Sequence, residues 1–514
     1  MLEALGSLKN IHFCIFLAVQ MNQSRRQSIT SLGFSLKEDK TPYYQQLVAQ
    51  ILNAIERQKL LPGDRLPGSR DLALSLGVSR STVVHAYERL ISEGILVSKN
   101  KSGVFVAEVP ARAISLTPKT LPQAKPKPLS FDSGSDTSAF PRKAWQKCMK
   151  QSWTTPDSHV LEDNYPTGYP QLKQAIADYL YQLRGFSCTS EQVVITAGSR
   201  DSLSLLRHLF GQISQGSHWL TENPTHKPIR NLLSHWNDSA PFLLPVDESG
   251  CQLPAQQRTP VVLLTPNRQY PSGVAMSSER KQTWLQALNN KSLWVVEDDY
   301  DNEFNYQGRM SVPLMQADRS GRVFYIGSFS KVLFRGLRLG FIVAPVEHCA
   351  NLYRSREELG GSAALPMQPV LADFMSSGEF GRHINRMRRH YRKKRDGLLS
   401  LLNQLLAPWF DWQTPSGGMH LIIRLRPQVK ETLYEHLGDI ALPIDQHIAQ
   451  LLTSENIKLE PLSNHYGSRD LQLLNNDLPS PETPSGFILG FTNPEEKQMK
   501  YILEKLALLM LSHH

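Results

Sequence analysis

S-L-W-V-V-E-D-D-Y-D-N-E-F occupies residues 292–304, and R-V-F-Y-I-G-S-F-S-K-V-L-F-R-G-L-R-L-G-F occupies residues 322–341. Within them, Leu293–Val296 and Val323–Ile326 are short apolar runs with the β-branched and aromatic content of buried strands. Polar chemistry follows each run at once: Glu297, Asp298, Asp299 and Tyr300 after the first; Ser328, Ser330, Lys331 and Arg338 after the second. In open α/β sheets, ligands sit beyond the carboxyl ends of the strands. One strand end therefore offers a carboxylate, and another a lysine between small hydroxyls and an arginine. That set suits a ligand with a carbonyl, a ring nitrogen and a phosphate.

The spacing resembles the cofactor site of the fold-type-I pyridoxal-phosphate aminotransferases. The resemblance implies that Lys331 forms the internal aldimine and that Ser328 and Arg338 hold the phosphate. It also implies that Asp298, 33 residues before the lysine (331 − 298), pairs with the pyridinium nitrogen, and that Tyr300 reaches the ring oxygen. The chemistry agrees. A lysine is nucleophilic only when neutral, so it needs a site that lowers its pKa or consumes its charge. An aspartate at the ring nitrogen keeps the pyridine protonated and the ring an electron sink. A lone S-x-S-K after a strand could equally be surface; four residues at matching spacing favour the cofactor.

Composition sets the frame around this site. The chain of 514 residues is too long for one core. Its 40% apolar and 20% charged content is ordinary for a globular protein. Cys14, Cys148, Cys188, Cys251 and Cys349 are scattered, with no metal-like spacing, which suits a reducing cytoplasm. The net charge is +9. Eight cations between Arg382 and Arg395 read as the solvated face of a long helix, whose buried side carries Phe380, Ile384, Met387 and Tyr391. Residues 1–40 form a poorly defined extension. Its apolar run Ile11–Val19 is too short to span a bilayer, and Met21 is a second candidate start.

Residues 41–109 follow another grammar. Leu47, Ile51 and Ile55 mark an amphipathic helix over 42–58. Ser69–Leu76 is a second helix, Gly77-Val78 a tight turn, and Ser79 the N-cap of a third helix with Val84, Tyr87, Leu90 and Ile91 inward. Ile95–Ser98 and Val104–Ala107 flank a basic tip, forming a β-hairpin. This stretch resembles the winged helix-turn-helix of GntR-family transcription regulators. Carried over position by position, Arg70, Ser79, Arg80, Thr82 and Gly103 are the DNA contacts the resemblance implies, with Arg65 nearby.

Residues 110–130 are proline-rich with lysines between, and read as a linker. Residues 131–514 form the aminotransferase-like part, with large and small subdomains. Gln192–Ala197 reads as a strand leading into a helix that opens at Ser199 and Arg200, both phosphate candidates because a helix N-terminus presents free N–H groups. His226 falls where the family usually stacks an aromatic on the ring. Pro266–Gly273 resembles the P-x-x-N-P-T-G loop with tyrosine replacing asparagine, and Gln269 within it is a cofactor-binding candidate.

The expected fold is thus multidomain: an N-terminal α+β winged helix-turn-helix, then an α/β fold-type-I aminotransferase-like domain. The order resembles the MocR/GabR subfamily of regulators. That resemblance implies a cytoplasmic head-to-tail homodimer on double-stranded DNA, without membrane, in which pyridoxal phosphate or an amine effector is sensed through an aldimine at Lys331. The alternatives are an active aminotransferase with an appended DNA-binding domain, or a DNA binder with a cofactor-free second half. One departure bears on this choice. The arginine that usually clamps the substrate carboxylate aligns with Ile488, and the usual histidine before Gln269 is Arg268. Losing a bidentate clamp makes turnover of an ordinary amino acid less expected than binding of pyridoxal phosphate or an amine without that carboxylate.

Overall fold

Leu47, Ile51 and Ile55, with Val48 and Ala54, bury one face of a helix, Tyr43–Glu56. The computed structural model describes residues 32–38, 41–100, 102–107, 127–214, 216, 218–236, 242–254, 259–291, 293–308, 311–361, 363–437, 442–467 and 484–513. These fall into two units, Met1–Pro126 and Lys127–His514. The run Ile11–Val19 and residues 110–126 of the expected linker lie outside the described residues.

In the first unit, helix Ser69–Leu76 ends at Gly77, whose left-handed backbone (φ 66°) turns the chain. Ser79 then caps helix Arg80–Ser92, its Oγ accepting from Thr82 N at 3.2 Å. This helix buries Val83, Ala86, Tyr87 and Leu90; Val84 and Ile91, expected inside, are only half-buried. The buried face follows 83, 86, 87 and 90, which share one stripe, and the helix packs on Tyr43–Glu56. The hairpin pairs Leu96–Lys99 with Gly103–Val106 antiparallel, Leu96 opposite Val106.

The second unit is built on an eight-stranded sheet. Its order runs Val193–Thr196, Gly340–Val343, Val323–Ser328, Trp294–Asp298, Val261–Leu264, Trp219–Asn223, Phe242–Asp247, Gly250–Cys251. The central strands pair parallel, and Gly340–Val343 runs antiparallel to both its neighbours. Val, Ile and Leu fill these strands because both faces are covered. Asp298 ends its strand beside Ile326, so the two quoted runs are adjacent and their carboxyl ends share one edge.

A four-stranded antiparallel sheet, Phe410–Trp412, His420–Leu425, Gly486–Gly490, Glu460–Pro461, forms the smaller subdomain. Leu129 and Ser130, at the end of the expected linker, instead pair with Ile457 and Lys458. Helix Glu379–Leu405 joins the two subdomains: Phe380 and Ile384 enter the large core, Met387, Tyr391, Leu398, Leu401 and Leu402 the small one. Its cations are not simply a solvated face. Arg395 is buried, donates to Pro415 O at 2.8 Å and lies over the Tyr306 ring; Arg388 donates to Glu303 O at 2.9 Å; Lys394 pairs with Asp136 at 3.0 Å. Arg382, Arg386, Arg389, Arg392 and Lys393 remain exposed.

Candidate cofactor site and nucleic-acid interface

The carboxyl ends of the parallel strands open into a cavity of about 530 Å3. Lys331, Asp298, Tyr300, Ser199, Arg200, His226 and Arg338 all line it, so seven of the nine cofactor candidates converge. Lys331 follows the strand Val323–Ser328. Its Nζ donates to Ser133 O at 2.9 Å and to Ser133 Oγ at 3.0 Å. Burial holds this ammonium below its ordinary pKa, against the pull of Asp301. Gly198, at φ 101°, turns the chain from strand Val193–Thr196 into helix Ser199–Ile213, where a side chain would strain the backbone. The free N–H groups of that helix start at Ser199 and Arg200. Arg338, also in the left-handed region (φ 51°), faces the cavity from the lysine's own loop.

Asp298 is buried, and its carboxyl is pushed up to about 7 by burial and by Asp299, Glu222 and Asp301. Its Oδ1 has no hydrogen-bond partner, and neither has the Tyr300 hydroxyl. Leaving such groups bare costs about 1–3 kcal/mol each. A protonated ring nitrogen would satisfy the first and a phenolic ring oxygen the second. The donor set therefore fits pyridoxal phosphate: Lys331 for the aldehyde, Asp298 and Tyr300 for the ring, and the helix start with Ser199, Arg200 and Arg338 for the phosphate.

Two candidates lie elsewhere. Gln269 is buried behind the lining: Nε2 donates to Pro224 O and Tyr270 O, both at 2.6 Å, and to Glu222 Oε2 at 3.4 Å, and Oε1 accepts from Ser272. Ser328 is half-buried outside the cavity lining, its Oγ accepting from Ser330 N at 3.3 Å. His226 stands just before helix Lys227–Ser234 without a capping side-chain bond, and burial pushes it down to about 4. It meets Tyr270 edge-on at 5.3 Å and stacks loosely on His465 at 6.4 Å.

Sequence reasoning missed Ser133, Glu222, Thr225 and Arg335, which also line the cavity. Glu222 is fully buried and pushed up to about 7; its Oε2 accepts from Thr265, and its Oε1 is bare. A strand-end acid within Trp219–Asn223 was the available signal. Ser133 lies 198 residues from Lys331 and carries no local motif. Arg268 has a structural partner, Asp301, at 3.2 Å, and a Cβ at Gly417 would lie 2.2 Å from its Nη2.

In the first unit, Arg70, Ser79 and Arg80 are exposed, and Thr82 is half-buried at the start of the second helix of the turn. Ser79 Oγ lies 2.7 Å from Ser81 Oγ and 2.8 Å from Thr82 Oγ1, a knot of hydroxyls at a helix N-terminus. Arg65 bridges to Phe105 of the wing, and a Cβ at Gly103 (φ 113°) would lie 3.0 Å from its Nε. Gly103 thus gives Arg65 its room. Among the described residues, no helix is long and apolar enough to cross a membrane, and no group of three metal-ligating side chains occurs.

The profile of the bacterial regulatory proteins of the gntR family matches residues 43–106, and that of aminotransferase class I and II matches residues 136–461. The probable rhizopine catabolism regulatory protein MocR of Rhizobium meliloti is 31% identical over 495 residues, 92% of this chain and 94% of that protein. The HTH-type pyridoxine biosynthesis transcriptional regulator PdxR of Corynebacterium glutamicum is 28% identical, over 90% of this chain and 94% of its own. Among solved structures, an archaeal alanine:glyoxylate aminotransferase matches with a TM-score of 0.62 at 23% identity, over 76% of this chain and 92% of that one. Kynurenine aminotransferase of Pyrococcus horikoshii gives 0.61 at 20%, over 75% and 91%. The second unit therefore has the fold of the pyridoxal-phosphate aminotransferases. With the winged helix before it, the chain belongs to the MocR/GabR group of GntR-type, DNA-binding transcription regulators.

Proposed function

We propose that this regulator holds pyridoxal phosphate on Lys331 and converts occupancy of that cavity into a change in operator binding. The observation that carries the proposal is the pair of bare, buried atoms, Asp298 Oδ1 and Tyr300 Oη, in the cavity that contains Lys331. When bound, the cofactor supplies an electrophilic aldehyde and an electron-withdrawing ring. Lys331 supplies the attaching amine, with a pKa lowered by burial. Asp298 keeps a proton at the ring nitrogen, and Tyr300 donates to the ring oxygen. The helix start at Ser199 and Arg200, with Arg338, takes the phosphate. Arg70, Arg80 and Thr82 meet the duplex, supported by the cap at Ser79 and by Arg65 at Gly103. The protein acts in the cytoplasm as a homodimer, because GntR-type modules read paired half-sites. The effector is pyridoxal phosphate itself or an amine or amino acid. It shifts DNA binding by its differential affinity for two states.

The test is spectroscopic. Protein given excess pyridoxal phosphate should gain an absorbance band, and borohydride should leave the cofactor mass on Lys331. Lys331→Ala should lose both. A colourless wild type with no mass gain would refute the proposal. The set Lys331, Asp298 and Tyr300 also supports a second reading, an active aminotransferase. Turnover of an amino acid and a keto acid near about 1 s⁻¹ would favour it.

A further inference from the structure

Arg335 lines both the 530 Å3 cavity of Lys331 and a second cavity of about 580 Å3. Its guanidinium makes a two-pronged pair with Asp132, Nη2 to Oδ1 at 2.5 Å and Nη1 to Oδ2 at 3.1 Å, while 60% of its side chain stays exposed. Asp132 also accepts from Gly134 N at 2.9 Å and Asn493 Nδ2 at 3.1 Å. The next residue, Ser133, is the one that holds Lys331 Nζ. A Cβ on Gly134 would lie 3.1 Å from Arg335 Cζ. The lysine amine and the guanidinium thus flank the same three residues, and the charge of Arg335 acts on Lys331.

The wall where an arginine would clamp a carboxylate is apolar: Ile488 packs with Ile422 and Leu462. Glu460, opposite Ile488 in the sheet and 3.3 Å from His465, would repel a carboxylate there; the cations Arg200 and Lys227 also line this second cavity. Near the reactive amine, Arg335 already holds a carboxylate in the two-pronged manner guanidinium favours. That carboxylate belongs to the protein.

We propose that Arg335 is the carboxylate anchor of the effector, and that Asp132 occupies it until an amine bearing a carboxylate displaces it. The inference rests on the reading of Lys331 as the attaching amine. It assigns the effector to amino acids whose amine and carboxylate are a few bonds apart. Plain alkylamines and diamines leave the Asp132 pair in place. Exchange of one carboxylate for another leaves the guanidinium paired throughout, and the displaced Asp132 retains Gly134 N and Asn493 Nδ2 as donors.

Two stable probes that differ by one carboxylate, N-(5′-phosphopyridoxyl)glycine and N-(5′-phosphopyridoxyl)methylamine, isolate the anchor. Calorimetric titration of cofactor-free, full-length protein should find the glycine adduct tighter by about tenfold. R335Q should abolish that preference while keeping the methylamine affinity, which also reports that the variant is folded. D132N should strengthen the glycine adduct alone. Equal affinities in the wild type, or equal losses in R335Q, would overturn the proposal. If pyridoxal phosphate gives no absorbance on the same protein while the glycine preference persists, the attachment at Lys331 falls and the anchor stands. If neither adduct binds, the anchor falls.

Discussion

At the scale of single residues, the buried acids around the cavity make the clearest prediction. Asp298, Glu222 and Glu297 are each pushed up to about 7, chiefly by burial. Between the ordinary carboxylate range and about 7, the folded protein keeps protons that the unfolded chain gives up. Stability of the cofactor-free protein should therefore fall as pH rises from about 4 to about 7. Thermal denaturation across that range should record a declining melting temperature. D298N and E222Q should each flatten the decline; a slope unchanged in both would show that these carboxyls ionise freely. Added pyridoxal phosphate should flatten the wild-type decline too, because a protonated ring nitrogen gives Asp298 a partner for its charge. Asp298 and Tyr300 were legible in the sequence because each sits a fixed step beyond one strand. Ser133 and Arg335 were not, because their roles depend on contacts between segments about 200 residues apart.

At the scale of elements, the second helix of the turn and the wing carry separate predictions. Arg80→Ala should weaken operator binding and lower the salt slope by about one. Titrations at several salt concentrations check this, and an unchanged slope would show that Arg80 touches no phosphate. Ser79→Ala removes a cap and should cost about 1 kcal/mol of stability in the first unit, measured by urea unfolding. Gly103→Ala meets two obstacles, a backbone at φ 113° and the Arg65 side chain at 3.0 Å. It should loosen the wing and reduce DNA affinity while leaving cofactor loading intact. Loading is read from absorbance, and a parallel loss of both would contradict the division of labour. These elements were readable because Gly77, Ser79 and Gly94 punctuate short helices. The rotation of the buried face from Val84 to Val83 was not, since both residues fit an apolar stripe and only the partner helix chooses.

At the scale of the whole molecule, the proposed function needs the cavity of one unit to alter the other. A ligand that displaces Asp132 acts on a segment that begins just after strand Leu129–Ser130, at the end of the expected linker. Operator affinity should therefore differ between cofactor-free, pyridoxal-phosphate-loaded and effector-loaded protein, and D132N should respond to less effector. Fluorescence anisotropy with a fixed operator fragment measures this. Identical curves in all states would leave the second unit without a regulatory role. Sedimentation should show a dimer, as paired half-sites demand.

The sequence by itself determined the two-part architecture, the strand ends that carry Asp298 and Lys331, and the helix-turn-helix with its cap. Those features are local: apolar period, punctuation by glycine and fixed motif spacing follow from the chemistry of neighbouring residues. Only the tertiary structure decided that Gln269 turns to Pro224, Tyr270 and Glu222, and that Arg395, Arg388 and Lys394 bond outside their own helix. It also decided that Asp132 and Ser133 reach across the chain to Arg335 and Lys331. Those outcomes depend on which distant backbone carbonyls and carboxylates remain unpaired once the sheet has formed.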